Sequence, residues 1–285
     1  PYPHCRTCIV NPGEAQWLRD LTDMENPTSD VGEGMNLALI DHLLTGAIKG
    51  LRGVGNPHHT MLIHTHIRTD RMHPVLTRVR RRLAEWQEIF FQDREWLDPA
   101  GIEVIDCFEQ RYFDEFVGKW NHTDDPPGFH EIHSWICDSF LRGTFHVIEV
   151  SSSEEFADDE LDYGSPQYQE NGLNVIAVGG QQLSRGLTLE GLTISYFIRT
   201  AAELQYDTVM QQGRWFGFRQ EYEDLVRIHT TETLYEFMVD LGNVERELRA
   251  SIEGYQNSGL TPREFGIRVL SIMGGRPTRP LAMQN

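Results

Sequence analysis

The sequence predicts an α/β protein: a mainly parallel sheet with helices on both faces. Three observations predict it. Short β-prone apolar runs recur near 61–67, 144–150, 174–178, 192–198 and 224–229. Several are separated by segments whose apolar residues return every three or four positions, as on a helix with one buried face. The run at 174–178 ends in Gly179-Gly180, a pair that lets the chain turn sharply after a strand and approach a ligand closely. Alternating β and α units of this kind build one parallel sheet.

The first stretch, 1–34, reads as a linker or the end of an upstream domain. It is turn-rich at Asn11-Pro12-Gly13 and at Glu25-Asn26-Pro27-Thr28-Ser29-Asp30. It has neither an initiator Met nor the basic flank and apolar core of a signal peptide, so the chain is expected to be a fragment of something longer. His4, Cys5 and Cys8 could be half of a zinc site, with His130, His133 or Cys137 completing it. That second half lacks regular ligand spacing, so a strand beginning at Thr7 is the plainer reading.

From Met35 to Leu51, the residues Leu39, Leu43, Leu44, Ala47, Ile48 and Leu51 follow helical spacing. The next strand, Thr60 to Ile67, carries His64 and His66 on one face. Together with His58, His59 and His73 they raise a metal reading. No carboxylate or cysteine joins them at ligand spacing, which favours ordinary polar histidines. Pro74 to Trp96 reads as a helix with Val75, Val79, Leu83, Trp86 and Phe90 on one side. Its basic run Arg78 to Arg82 reads as a solvated face, ahead of a phosphate-contacting one.

Residues 98–142 do not read as a further α/β unit. They form a partly helical insertion with a firm break at Asp124-Asp125-Pro126-Pro127-Gly128. After the strand at 144–150 come Glu154, Glu155, Asp158, Asp159, Glu160 and Asp162. Such a cluster could hold magnesium, but a solvated acidic loop is the commoner outcome. A helix-like segment, Tyr206 to Phe216, follows the strand at 192–198. After the strand at 224–229, Thr230-Thr231-Glu232 can cap a helix from about Leu234 to Tyr255. Residues 260–285 read as an exit toward a downstream domain. The main domain is therefore expected over 35–259.

Composition narrows the function. With 285 residues the chain can bury a full core. A net charge of -18 argues against a broad phosphate-binding footprint, though a local basic channel is compatible with it. No run approaches the ~20 apolar residues of a membrane span. Four cysteines in so long a chain fit a reducing cytoplasm.

The stretch Asn174 to Arg219 carries a resemblance. Ser184-Arg185-Gly186-Leu187-Thr188 is similar to the Arg-Gly-aliphatic-Asp core of motif V of superfamily II helicases. Gln211-Gln212-Gly213-Arg214-Trp215-Phe216-Gly217-Phe218-Arg219 resembles their motif VI. His64 to Arg68 resembles motif IV. Both larger blocks match still more closely the Z1 (Z-one) domain, described as an endonuclease domain that accompanies superfamily II helicases in bacteria. The resemblance covers roughly 37–259.

It implies a RecA-like second helicase domain in an ATP-dependent DNA-processing protein, of the kind found in restriction or phage defence. Arg219 is the expected arginine finger, with Arg214 supporting, because a guanidinium fork stays charged and grips phosphate oxygens bidentately. Gly186, Thr188 and Gly213 are expected near the nucleotide. Arg68, Gly179, Gly180, Ser184 and Arg185 are expected near the DNA backbone. The Arg214–Arg219 spacing is longer than the helicase pattern, and Thr188 replaces an acidic residue. No Gly-x-x-x-x-Gly-Lys-Ser/Thr and no acidic Walker B strand occur. ATP and magnesium are therefore expected on an upstream RecA-like ATPase domain, and the isolated chain should not turn over ATP. DNA is the expected partner, with nuclease or other defence subunits; no membrane is. The remaining readings are a metal-dependent endonuclease domain and a non-catalytic interaction domain derived from a helicase.

Overall fold

A computed structural model describes residues 6–21, 29–66, 69–120, 125–142, 145–150, 161–169, 172–179, 189–198, 204–205, 209, 219, 221–258 and 275–276. The strands are β1 (Arg6–Ile9), β2 (His59–His64), β3 (Phe145–Val150), β4 (Asn174–Gly179), β5 (Leu192–Phe197), β6 (Leu204–Gln205), β7 (Arg227–Thr230) and β8 (Gly275–Arg276). The helices are α1 (Pro12–Asp20), α2 (Glu33–Arg52), α3 (Thr69–Phe90), α4 (Pro99–Glu115), α5 (Phe129–Leu141) and α6 (Glu232–Ser258).

Six strands form one sheet in the order β1-β7-β5-β2-β4-β3, and every pairing is parallel. All five anticipated strands are in it. From β2 the chain travels through α3, α4 and α5 to the β3 edge. It returns to β4 beside β2, then crosses to β5 on the other side of β2. The direction of winding thus reverses around β2.

Alternate side chains of the strands fill two layers, as pleating requires. Met61, Ile63, Ile176, Val178, Ile194 and Tyr196 face α1 to α5. Leu62, Val175, Ala177, Ile148 and Val150 face Leu161, Tyr163, Tyr168 and Leu234 of α6. Both faces are covered, but five of the described helices lie on one of them. The stretch 98–142, expected to be partly helical, contributes α4 and α5 there.

Residues 6–21, read from sequence as a linker, belong to this core. β1 pairs with β7 from Arg6↔Arg227 to Ile9↔Thr230, and Val10, Ala15, Leu18 and Leu21 are buried. Glu14 explains the attachment. Gly32, at the start of α2, offers no capping side chain, and Glu14 supplies one from α1. Its carboxylate accepts from the backbone N–H of Gly34 (2.8 Å) and Met35 (3.0 Å) and from the Tyr196 hydroxyl (3.0 Å). A carboxylate there satisfies orphan amides and the positive end of the helix dipole. Likewise, in the stretch read as an exit, β8 pairs in parallel with β6.

The basic run on α3 is not uniformly solvated either. Arg78 is buried, 5.4 Å from the Trp17 ring centre, and donates to the Asp30 carbonyl. Arg80 donates to the Val147 carbonyl of β3.

Candidate functional site

Three stretches carry the resemblance; two follow directly on strands, and the third, 211–219, comes later along the segment that leaves a neighbouring strand. β4, β2 and β5 are adjacent, and all run the same way. The 180–188 segment leaves the carboxyl end of β4, the 199–218 segment that of β5, and His64 to Arg68 that of β2. Gly179 ends β4, buried, opposite Val150. Gly180, Ser184, Arg185, Gly186, Thr188, Gly213, Arg214 and Arg68 lie outside the described residues. At the same edge, His64 packs against Phe197 with ring centres 5.2 Å apart. Arg19 donates to the Ile198 carbonyl at 2.9 Å.

Arg219 is elsewhere. Its Nε donates to the carbonyl of Leu192 at 3.3 Å, and Leu192 is the first residue of β5. Tyr222, whose N–H donates to the Arg219 carbonyl, packs against Gly55 in the turn leading into β2. The arginine is thus held at the amino edge, about 17 Å from the carboxyl edge by strand length. That position does not suit the finger role read from the motif. From Arg219 the chain continues through Tyr222 to β7.

A second constellation was not legible in the sequence. Asp41 of α2 is fully buried. Arg111 of α4 donates to it twice, Nε to Oδ1 at 2.8 Å and Nη2 to Oδ2 at 2.7 Å. His229 of β7 donates from Nε2 to Oδ2 at 3.0 Å. Cys8 stands opposite His229 in the β1–β7 register, with its Sγ and the imidazole within 4.8 Å, and receives Arg111 Nη2 on Sγ at 3.5 Å. Arg227, also buried, lies 4.0 Å over the Phe116 ring and donates to the carbonyls of Asp224 and Glu115.

The electrostatics follow from these contacts. Burial opposes charge on Asp41, but Arg111 and His229 outweigh it and hold the carboxyl well below its usual range. Burial likewise opposes charge on His229, yet Asp41 and Cys8 push it up to about 9. Burial would raise the Cys8 thiol, and His229 beside it turns the balance downward. Helical spacing cannot reveal such a group, because Asp41 sits among apolar neighbours on a helix buried nearly all round.

Ligand atoms of Cys8, Asp41 and His229 lie within 4.8 Å of one another, a spacing open to a metal reading. The chemistry is against a cation. Both Asp41 oxygens already accept hydrogen bonds, and the Arg111 guanidinium fills the space between Asp41 and Cys8 with positive charge. The zinc set considered from sequence is not brought together either. Cys8 has these partners, whereas Cys137 sits by His133 Nδ1 (3.7 Å) and the Phe90 carbonyl; Cys5 lies outside the described residues.

The histidines near β2 go to separate places. His42 and His59 stack with ring centres 4.3 Å apart. His58 donates nothing to them; its Nδ1 accepts from Leu173 N–H. His73 faces Glu149 at 3.0 Å. Of the acidic stretch, 151–160 lies outside the described residues, and Asp162 accepts from Gly164 N–H in a local turn.

Comparison with known proteins gives one match: a family model described as the Z1 domain covers residues 34–273. No curated protein and no solved structure matches the chain. The matched span takes in β2 to β7 and leaves out β1 and α1.

Proposed function

The chain belongs to the Z1 domain family, and from that premise we propose that it is the second RecA-like half of an ATP-dependent DNA-processing motor. One observation carries the reading. The 180–188 and 64–68 stretches follow directly on the carboxyl ends of β4 and β2, and the segment that leads to the third stretch leaves β5 at the same edge; these are three adjacent parallel strands at the point where winding reverses. In open α/β sheets that crevice is where ligands bind.

On this reading the chain does not hold the triphosphate and its magnesium by itself. The phosphate cradle is missing from the sequence, and the strands at the crevice end in His64, Gly179 and Phe197, none of them acidic. ATP and magnesium would be held by an upstream RecA-like domain. This half would supply positive charge to the transferring phosphoryl group, the contribution most of phosphoryl-transfer catalysis depends on. With Arg219 anchored at the amino edge, that role falls to Arg214. Arg68, Arg185 and Ser184 would line the DNA path. Work within a restriction or phage-defence system fits this assignment.

The endonuclease reading needs convergent carboxylates and histidines open to a metal. The one His/Cys/Asp group of that kind among the described residues is closed by Arg111, so the motor reading is preferred. The test is steady-state ATP hydrolysis, with and without DNA, by the protein carrying its upstream domain. DNA-stimulated turnover that falls about 10³-fold in Arg214→Ala supports the proposal. Magnesium-dependent DNA cleavage by the isolated chain would replace it with the nuclease reading.

A further inference from the structure

We propose that Cys8 is a covalent modification site: a nucleophilic thiolate, paired with His229 and oriented through Asp41 and Arg111, that reacts with hydroperoxides and other soft electrophiles. The arrangement is that of an activated nucleophile. A thiol stands beside an imidazole, and the imidazole is in turn fixed by a buried carboxylate. Arg111 reaches both the carboxylate and the sulfur, which favours negative charge on Cys8. Cys8 is half-buried on the outermost strand of the sheet, so a small electrophile can approach from the edge.

The charge around the cluster is positive in excess, which favours the thiolate form of Cys8. Arg111, Arg227 and His229 are the positive groups at the cluster, and Asp41 and Glu115 are two of the negative ones. Cys8 as a thiolate makes the third. Around them, Arg6 lies 3.5 Å and Lys119 2.7 Å from Glu115, and Arg111 Nη1 lies 3.9 Å from it. These are the charged groups that β1, β7, α2, α4 and the turn after α4 bring to the site.

With hydrogen peroxide the step is a displacement at oxygen. The thiolate sulfur attacks one peroxide oxygen, an S–O bond forms and the O–O bond breaks. Sulfur gives up two electrons, and the departing hydroxide takes the His229 proton and leaves as water. The product is a sulfenic acid beside a neutral imidazole, the reversible first rung of cysteine oxidation.

The chain contains its own references. Burial and nearby carboxylates raise the thiol pKa of Cys107, which is exposed, and burial with Asp138 raises that of Cys137. The experiment is iodoacetamide labelling of the folded 285-residue chain at pH 6, followed by trypsin and mass spectrometry. Cleavage after Arg6 separates Cys5 from Cys8. Cys8 should label at least about ten-fold faster than Cys107 despite its lower exposure, because only the thiolate reacts. A parallel hydrogen peroxide treatment trapped with dimedone should mark Cys8 first. His229→Gln should bring the Cys8 rate down to that of Cys107. Equal or slower labelling of Cys8 in the parent chain overturns the proposal. So does stoichiometric zinc binding that blocks Cys8 labelling, which would make the cluster a metal site.

Discussion

The Arg219 guanidinium donates to the Leu192 carbonyl at 3.3 Å, and this ties the end of the arginine-bearing signature to the beginning of β5. It puts the arginine expected as the finger at the amino edge, so the proposed motor assigns that role to Arg214. In the protein with its upstream domain, Arg214→Ala should lower ATP turnover by about 10³-fold with a normal melting curve. Arg214→Lys should not rescue it, since an ammonium lacks the guanidinium fork. Arg219→Ala should keep turnover within about three-fold of the parent, and its cost should appear as a lower melting temperature. A turnover collapse in Arg219→Ala alone, with normal melting, would restore it as the finger.

Gly191 sits at φ +65°, and a Cβ there would lie 1.8 Å from the carbonyl oxygen of His58. The chain before β5 must press against the entry to β2 so that Thr60 N–H can reach the Gly191 carbonyl at 3.0 Å. No side chain fits, and the backbone region is one that glycine alone adopts cheaply. Gly191→Ala should therefore cost more than about 3 kcal/mol in urea unfolding, or leave no folded protein. Gly53→Ala, also at positive φ but with nothing within 4 Å of its Cβ, should cost only about 1 kcal/mol.

Acid should unfold the chain through His42 and His59. Both are fully buried, and burial holds His42 down to about 3 and His59 well below its ordinary value. His42 donates from Nε2 to Asn174 Oδ1 and His59 from Nε2 to the His42 carbonyl, while the buried Nδ1 of each ring has no partner among the described residues, so a second proton there would go unsatisfied. A base with a depressed folded pKa takes up its proton more readily when unfolded. Its stabilisation is complete above about 6.5 and falls as pH drops below that, by up to about 1.4 kcal/mol per pH unit for each ring. His229 adds nothing to this slope, because a raised pKa makes its contribution complete below 6.5. Urea midpoints between pH 7 and 4 should show the decline. His42→Gln, which keeps a donor for Asn174, should flatten it by about one proton's worth. An unchanged slope would assign the decline to other groups.

Asp41→Asn should be among the most damaging single-atom changes in the chain. It leaves Arg111 and His229 facing a neutral amide, and breaking one side of a buried charge pair costs about 3–5 kcal/mol. A urea unfolding curve measures it. A loss below about 1 kcal/mol would mean that water reaches the cluster and replaces the carboxylate.

The sequence by itself determined the strands and most of the helices. Apolar runs at 61–67, 144–150, 174–178, 192–198 and 224–229 could be satisfied only in a buried sheet, and helical spacing marked α2, α3 and α6. Where backbone pairing and one apolar face decide, the information is local, and it is readable. Tertiary structure decided what depends on distant neighbours. A strand from Thr7 was expected, and β1 is that strand, but its place in the sheet was not readable. It joins the sheet because β7 offers a parallel edge and because Glu14 caps α2. Asp41 and Arg227 look like surface residues in any local window. They are buried because α4 lays Arg111 over α2 and because the β1–β7 register sets Cys8 against His229. Arg219 carried the right chemistry in the right motif, and its place at the amino edge of the sheet was set by the path of the chain after it. A buried charge survives only with its partners, and here those partners come from β1, α2, α4 and β7, elements that meet only when the sheet is complete.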